Sequence, residues 1–193
     1  MNADMKAGMN AEEIARRSAE EIARRSAEVM LAADRASKSL GIELRNVAPG
    51  TGEVTMVVRP DMANGWDICH GGLIATLADT AFAVACNSYG VLSLAAGFDI
   101  TFLEPGRIGD HLLARAEERA LKGRTGVYDV TVSRLRPDGT DGDPIAEFRG
   151  RSRNVGRPVR SVDGGALQLD QLARDREAGD AEHRRGRRHP SGG

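Results

Sequence analysis

Residues 71–88 read Gly-Gly-Leu-Ile-Ala-Thr-Leu-Ala-Asp-Thr-Ala-Phe-Ala-Val-Ala-Cys-Asn-Ser, an apolar run too long for an ordinary strand. That pattern predicts a helix buried on most of its surface, stopped by Gly90. Upstream, Glu53–Arg59 (EVTMVVR) is rich in β-branched residues and bounded by Gly52 and Pro60, so it predicts a strand. Downstream lie four strand-like runs, Leu92–Leu103, His111–Leu121, Val127–Leu135 and Pro144–Arg153. They are separated by the turn signals Glu104-Pro105-Gly106, Lys122-Gly123-Arg124 and Pro137-Asp138-Gly139. Short links make antiparallel neighbours, and the apolar face of such a sheet must be covered. The 71–88 helix is the one strongly apolar helix to cover it. The expected fold class is therefore α+β, an antiparallel sheet wrapped around a central long helix.

Residues 11–18 and 19–26 are the same octapeptide, AEEIARRS. Its Ala, Glu and Arg content favours helix, with Glu12–Arg16 and Glu20–Arg24 at i,i+4. One helix is expected over 11–39, stopped by Gly41, after a disordered segment 1–10. Beyond residue 156 large apolar residues are few, and 157–193, including the basic block His183–His189, is expected to be a disordered tail. The domain between these ends would span residues 41–156.

With 27 Lys and Arg against 28 Asp and Glu, charge gives no reason to expect nucleic acid or a membrane surface as partner. No run reaches the ~18 apolar residues of a membrane span. Two cysteines, Cys69 and Cys86, fit a reducing cytoplasmic setting and form no metal-ligand spacing. No metal or organic cofactor is expected.

The candidate chemistry lies in and before the central helix. Asp79 sits among Leu, Ala and Phe, where an ionised carboxylate costs several kcal/mol unless something compensates it. The loop 60–70 ends in His70-Gly71-Gly72 at the helix start, where backbone N–H groups lack partners and glycines admit close approach. Donors for an oxyanion and a separate carboxylate suit acyl transfer or hydrolysis. Eight residues of helix nevertheless put Asp79 about 12 Å from those donors. A two-fold dimer, with Asp79 of one protomer facing the partner's helix end, removes the difficulty. Small residues such as Ala75, Ala78 and Ala83 allow close approach. The competing reading makes Asp79 a structural carboxylate bonded to loop amides.

The strings NGWDICHGGLIATLADTAFAVACNSYG, FDITFLEPGRIGDHLLARAEERALKGRTGVYDVTV and AEFRGRSRNVG closely resemble the PaaI-type thioesterases of the hotdog superfamily. The likeness covers roughly residues 40–156; the duplicated octapeptide and the tail fall outside it. It implies a hotdog fold, a dimer that often pairs into tetramers, and hydrolysis of acyl-coenzyme A thioesters, hydroxyphenylacetyl groups being the best-known class. By position it makes Asp79 the catalytic nucleophile or base and Gly71 the donor to the thioester oxygen. His70, Asn64 and Thr80 become supporting polar groups. Each has a bland reading beside it, a loop histidine, a turn former and a helix threonine.

Coenzyme A also carries phosphates, for which Lys122, Arg124, Arg151 and Arg153 are candidate contacts, with Gly72 at the helix end. Trp66 and Phe82 are candidates for the acyl pocket, Phe82 fitting a core role better. Cys69 has no neighbour that orients it as a nucleophile. A non-catalytic acyl-CoA sensor or carrier on the same fold is the alternative. A hydratase would need a differently spaced Asp and His, for which Asp110 and His111 are a poor match.

Overall fold

The structure, a computed structural model, describes residues 11–160. The chain begins with helices α1 (Ala11–Ala33) and α2 (Arg35–Leu40), then strands β1 (Glu43–Ala48) and β2 (Thr51–Val57). A short 3-10 turn, Pro60–Met62, leads to helix α3 (Gly71–Asn87). Four strands follow: β3 (Val91–Phe102), β4 (His111–Lys122), β5 (Thr125–Leu135) and β6 (Asp141–Pro158). They form one six-stranded sheet in the order β1-β2-β4-β5-β6-β3, with every neighbouring pair antiparallel. The sheet curls around α3, as the pattern predicted.

Seating α3 requires glycines on the sheet. A Cβ on Gly52 of β2 would stand 2.7 Å from Val84 Cγ1 and 2.9 Å from the Ala81 carbonyl oxygen. A Cβ on Gly150 of β6 would stand 2.8 Å from the Phe82 ring. With both absent, Leu77, Ala78, Ala81, Phe82, Val84 and Ala85 are buried against the sheet. Phe82 meets Tyr128 edge-on at 5.5 Å and Phe148 at 5.9 Å, so it is a core residue. Aromatic pairs at such spacings add about 0.5–1.5 kcal/mol beyond their burial.

Three expectations are corrected. The helix expected over 11–39 breaks at Asp34, whose carboxylate accepts the Ser37 N–H at 3.0 Å and the Ser37 hydroxyl at 2.6 Å. An aspartate that satisfies its own downstream N–H starts a new helix and interrupts the old one. Gly41 ends α2 at φ 69°, as read. Strand β1, ELRNVA, was not anticipated. It is a sheet edge with a mostly exposed, irregular burial pattern and a register shift between Leu44 and Asn46, so it lacks the alternation that marks a half-buried strand. Finally, β6 runs on to Pro158, and Val159 is buried, its N–H donating to the Gly90 carbonyl at 2.9 Å. The domain therefore extends past residue 156. The expectations for residues 1–10 and 161–193 lie outside the described residues.

The opposite edge, β3, carries Leu94, Phe98 and Phe102 about half exposed, with Leu103 just beyond it. Phe98 stacks on Phe148 at 4.7 Å, so this apolar surface continues the core outward to an unpaired edge. Among the described residues, no helix is long and apolar enough to cross a membrane.

Candidate active site

The loop before α3 is pinned by its backbone. Asn64 N–H donates to the Ile68 carbonyl, Asp67 N–H to the Asn64 carbonyl, and Cys69 N–H to the Gly106 carbonyl. The Asn64 side-chain oxygen accepts the Trp66 N–H at 2.9 Å, an Asx turn that carries the chain to Asp67 at φ 56°. That oxygen is thus committed to the turn. Trp66 projects from it 84% exposed.

His70 is the N-cap of α3. Its backbone is extended, and its Nδ1 accepts the Gly72 N–H at 3.1 Å. An accepting Nδ1 means a neutral ring with its proton on Nε2. The His70 carbonyl accepts the N–H groups of Leu73 and Ile74. Gly72, a candidate binding group, therefore has its N–H occupied by the imidazole. The amide left without a protein acceptor among the described residues is that of Gly71. His70 thus dedicates the helix pole to one donor. A Cβ on Gly71 would lie 3.0 Å from Phe102 Cζ, so glycine also lets the β3 aromatic approach the helix end.

Asp79 lies two turns further on. Its Oδ1 is fully covered and has no hydrogen-bond partner, a state shared among the described residues by one other side-chain atom, Ser26 Oγ. The reading of Asp79 as a structural carboxylate bonded to loop amides finds no bond at that oxygen. Burial raises its carboxyl above the ordinary value. Asp79 borders a cavity of about 630 Å³ between α1, α3, the start of β3 and the end of β6. Cys86, on the same wall, has its thiol pushed up to about 12, by burial first and then by the Asp79 charge. Burial, with a smaller effect of Asp110, likewise raises Cys69. Both thiols stay protonated at neutral pH and are poor nucleophiles.

Other sequence candidates divide. Thr80 Oγ1 donates to the Thr76 carbonyl at 2.8 Å and packs 3.2 Å from Ser37 Oγ of α2, so its hydroxyl proton is used within α3. Arg151 is held by Asp99 through two hydrogen bonds of 2.8 and 2.7 Å on the exposed face. Lys122 and Arg124 flank Gly123 in the β4–β5 turn, and Arg153 is the register partner of Thr125 beside them. A Cβ on Gly156 would stand 2.9 Å from the Arg124 guanidinium. The next residue, Arg157, borders the cavity, as does Arg160. Three candidate cations thus cluster at the β4–β5 turn, Arg124 close to the segment of β6 that reaches the cavity. Arg157 and Arg160 were not anticipated because they fall in what reads as a polar tail.

The thioesterase superfamily model matches residues 67–138, which span Gly71 and Asp79. The acyl-coenzyme A thioesterase PaaI of Escherichia coli (strain K12) is 41% identical over 130 residues, covering 67% of this chain and 89% of that one. This chain belongs to the PaaI-type thioesterases. The structure of the E. coli PaaI protein, from the phenylacetic acid degradation operon, superposes with a TM-score of 0.68 at 39% identity. That superposition covers 73% of this chain and 99% of that one. A protein of Streptococcus mutans UA159, solved bound to acetyl CoA, matches with a TM-score of 0.55 at 25% identity over 61% of this chain and 90% of its own. The thioesterase is thus a thioester hydrolase with a hotdog fold.

Proposed function

We propose that the thioesterase hydrolyses acyl-CoA thioesters, with aryl-acetyl or medium-chain acyl groups, at two equivalent sites shared across a dimer. The observation that carries this is a pair of uncommitted polar groups on one helix, the Gly71 N–H and Asp79 Oδ1. They lie about 12 Å apart along the axis and cannot serve one carbonyl within a single chain. Two α3 helices antiparallel about a two-fold axis bring each donor to the other protomer's carboxylate. The open β3 edge, with Phe98 and Phe102 half exposed, supplies a surface for that pairing. Further pairing into tetramers is compatible with this arrangement.

Within that site the thioester oxygen accepts the N–H of Gly71, and the helix pole stabilises the negative charge that develops there. Asp79 takes a proton from a water whose oxygen bonds to the carbonyl carbon. The tetrahedral intermediate then collapses, the C–S bond breaks, and the thiolate leaves with the proton that Asp79 had taken, which restores the carboxylate. A buried carboxylate of raised pKa is a stronger base than an exposed one, which suits it to take that proton. His70 keeps the pole oriented by holding Gly72, and Asn64 holds the loop that presents it. Lys122, Arg124 and Arg153 are the cations proposed to meet phosphates of coenzyme A, with Arg157 bordering the cavity. Apart from the substrate, the scheme uses only side chains and backbone of this chain.

The test is release of free thiol from a panel of acyl-CoAs. Wild-type protein should turn them over and Asp79→Asn should not. Tight binding without thiol release in wild type would favour a carrier. Single turnover in ¹⁸O-water places the label in the product acid under the base mechanism; label in Asp79 would make it the nucleophile.

A further inference from the structure

We propose that the N-terminal helix is the specificity wall of the site, with Met30 setting how long an apolar acyl group the chamber accepts. The inference rests on the thioesterase reading above and adds to it where acyl selectivity resides. The cavity beside Asp79 takes one wall from α3 itself, through Phe82, Ala83 and Cys86. A second wall comes from α1, through Val29, Met30 and Ala33. Leu92 and Leu94 of β3 and Val159 after β6 complete the lining. The superfamily match ends at residue 138 and starts at 67, so the α1 and Val159 walls lie outside the segment that carries Gly71 and Asp79. Part of the wall that meets the acyl group is therefore supplied from outside the segment that carries the chemistry.

The polarity of the lining narrows the acyl class. Val29, Met30, Phe82, Leu92 and Leu94 make most of it apolar, a surface that takes a phenyl ring or an alkyl chain. The polar side chains that border it are those of Asp79, Asn87 and Ser93, with Arg157 and Arg160 exposed. Met30 is the natural gauge, since it is partly buried, packs against the core and is unbranched, so its replacement changes volume without removing a hydrogen bond.

The experiment measures kcat/KM for butyryl-, hexanoyl-, octanoyl-, decanoyl-, phenylacetyl- and 4-hydroxyphenylacetyl-CoA in wild type, Met30→Trp and Met30→Ala. Met30→Trp should lower kcat/KM for the longest good substrate about tenfold or more and leave butyryl-CoA within about twofold. Met30→Ala should move the optimum to a longer chain. A thermal melt accompanies each variant, and Met30→Ala carries the test if the tryptophan does not fold. Equal loss on every substrate, or an unmoved optimum in both variants, overturns the proposal while leaving the thioesterase reading intact. Absence of turnover in wild type on the whole panel overturns both.

Discussion

Helices α1 and α3 are opposite solutions to the same backbone. In α3 the side chains are apolar and buried, and the two groups without a partner, the Gly71 N–H and Asp79 Oδ1, are the ones assigned to chemistry. In α1 the charges are paired along the surface, with Arg16 to Glu13 and Glu20, and Arg24 to Glu21 and Glu28. Exposed pairs of this kind contribute little each. The contrast sharpens inside α1, where two identical octapeptides meet different surroundings. Ala23 and Ser26 of the second copy are fully buried, whereas Ala15 of the first is exposed and Ser18 is only partly covered. Eight residues turn a helix about 80° past two full circles and advance it about 12 Å, so a repeated octapeptide cannot present the same face to one flat partner. In the proposed mechanism function concentrates where the structure leaves a polar group uncompensated, and repetition of sequence does not repeat environment.

The contrast can be broken most sharply at Asp79. Asp79→Asn should reduce kcat/KM by about 10²–10⁴-fold with the fold retained, measured by thiol release beside circular dichroism. Gly71→Pro comes next, because proline at the first helical position removes the N–H while remaining compatible with the helix, and His70 already has the extended backbone a following proline requires. The expected loss in kcat is about 10²–10³-fold. Gly71→Ala keeps the N–H and tests the Phe102 contact separately; a smaller loss there isolates the donor.

The pH dependence follows from burial. The raised Asp79 pKa means the folded chain holds that proton more tightly than the unfolded chain does. Stability from this group is present below the ordinary aspartate value and is lost as pH rises to the raised one. Activity should show the reverse, with an acid limb above the usual carboxylate range. Asp79→Asn should therefore melt higher than wild type at neutral pH, and an unchanged or lower melting temperature would contradict the burial argument. The smallest effects distinguish the octapeptides. Ala23→Leu should destabilise by about 1–3 kcal/mol and Ala15→Leu by less than about 0.5 kcal/mol, read by denaturant unfolding.

Much of this was legible before any coordinates. The apolar 71–88 run, the β-branched segments and the Pro-Gly turn signals follow from periodicity and turn chemistry, which are local. The His70-Gly71-Gly72 entry and the isolated Asp79 stood out because each contradicts its surroundings. Strand β1 escaped because edge strands need no alternation, and the break at Asp34 escaped because one capping aspartate looks like any other polar helix residue.

Local sequence thus determined most of the elements and the class of the fold, and it marked the candidate groups on α3. Only tertiary structure decided how each polar group was used. It gave the Gly72 N–H to His70, the Thr80 hydroxyl to Thr76, and Arg151 to Asp99. It also laid Val29 and Met30 beside Asp79, some fifty residues away in the chain. The reason is physical: propensity and hydrophobic period act over a few residues, whereas hydrogen-bond satisfaction and cavity walls depend on segments that meet only when the sheet closes around its helix.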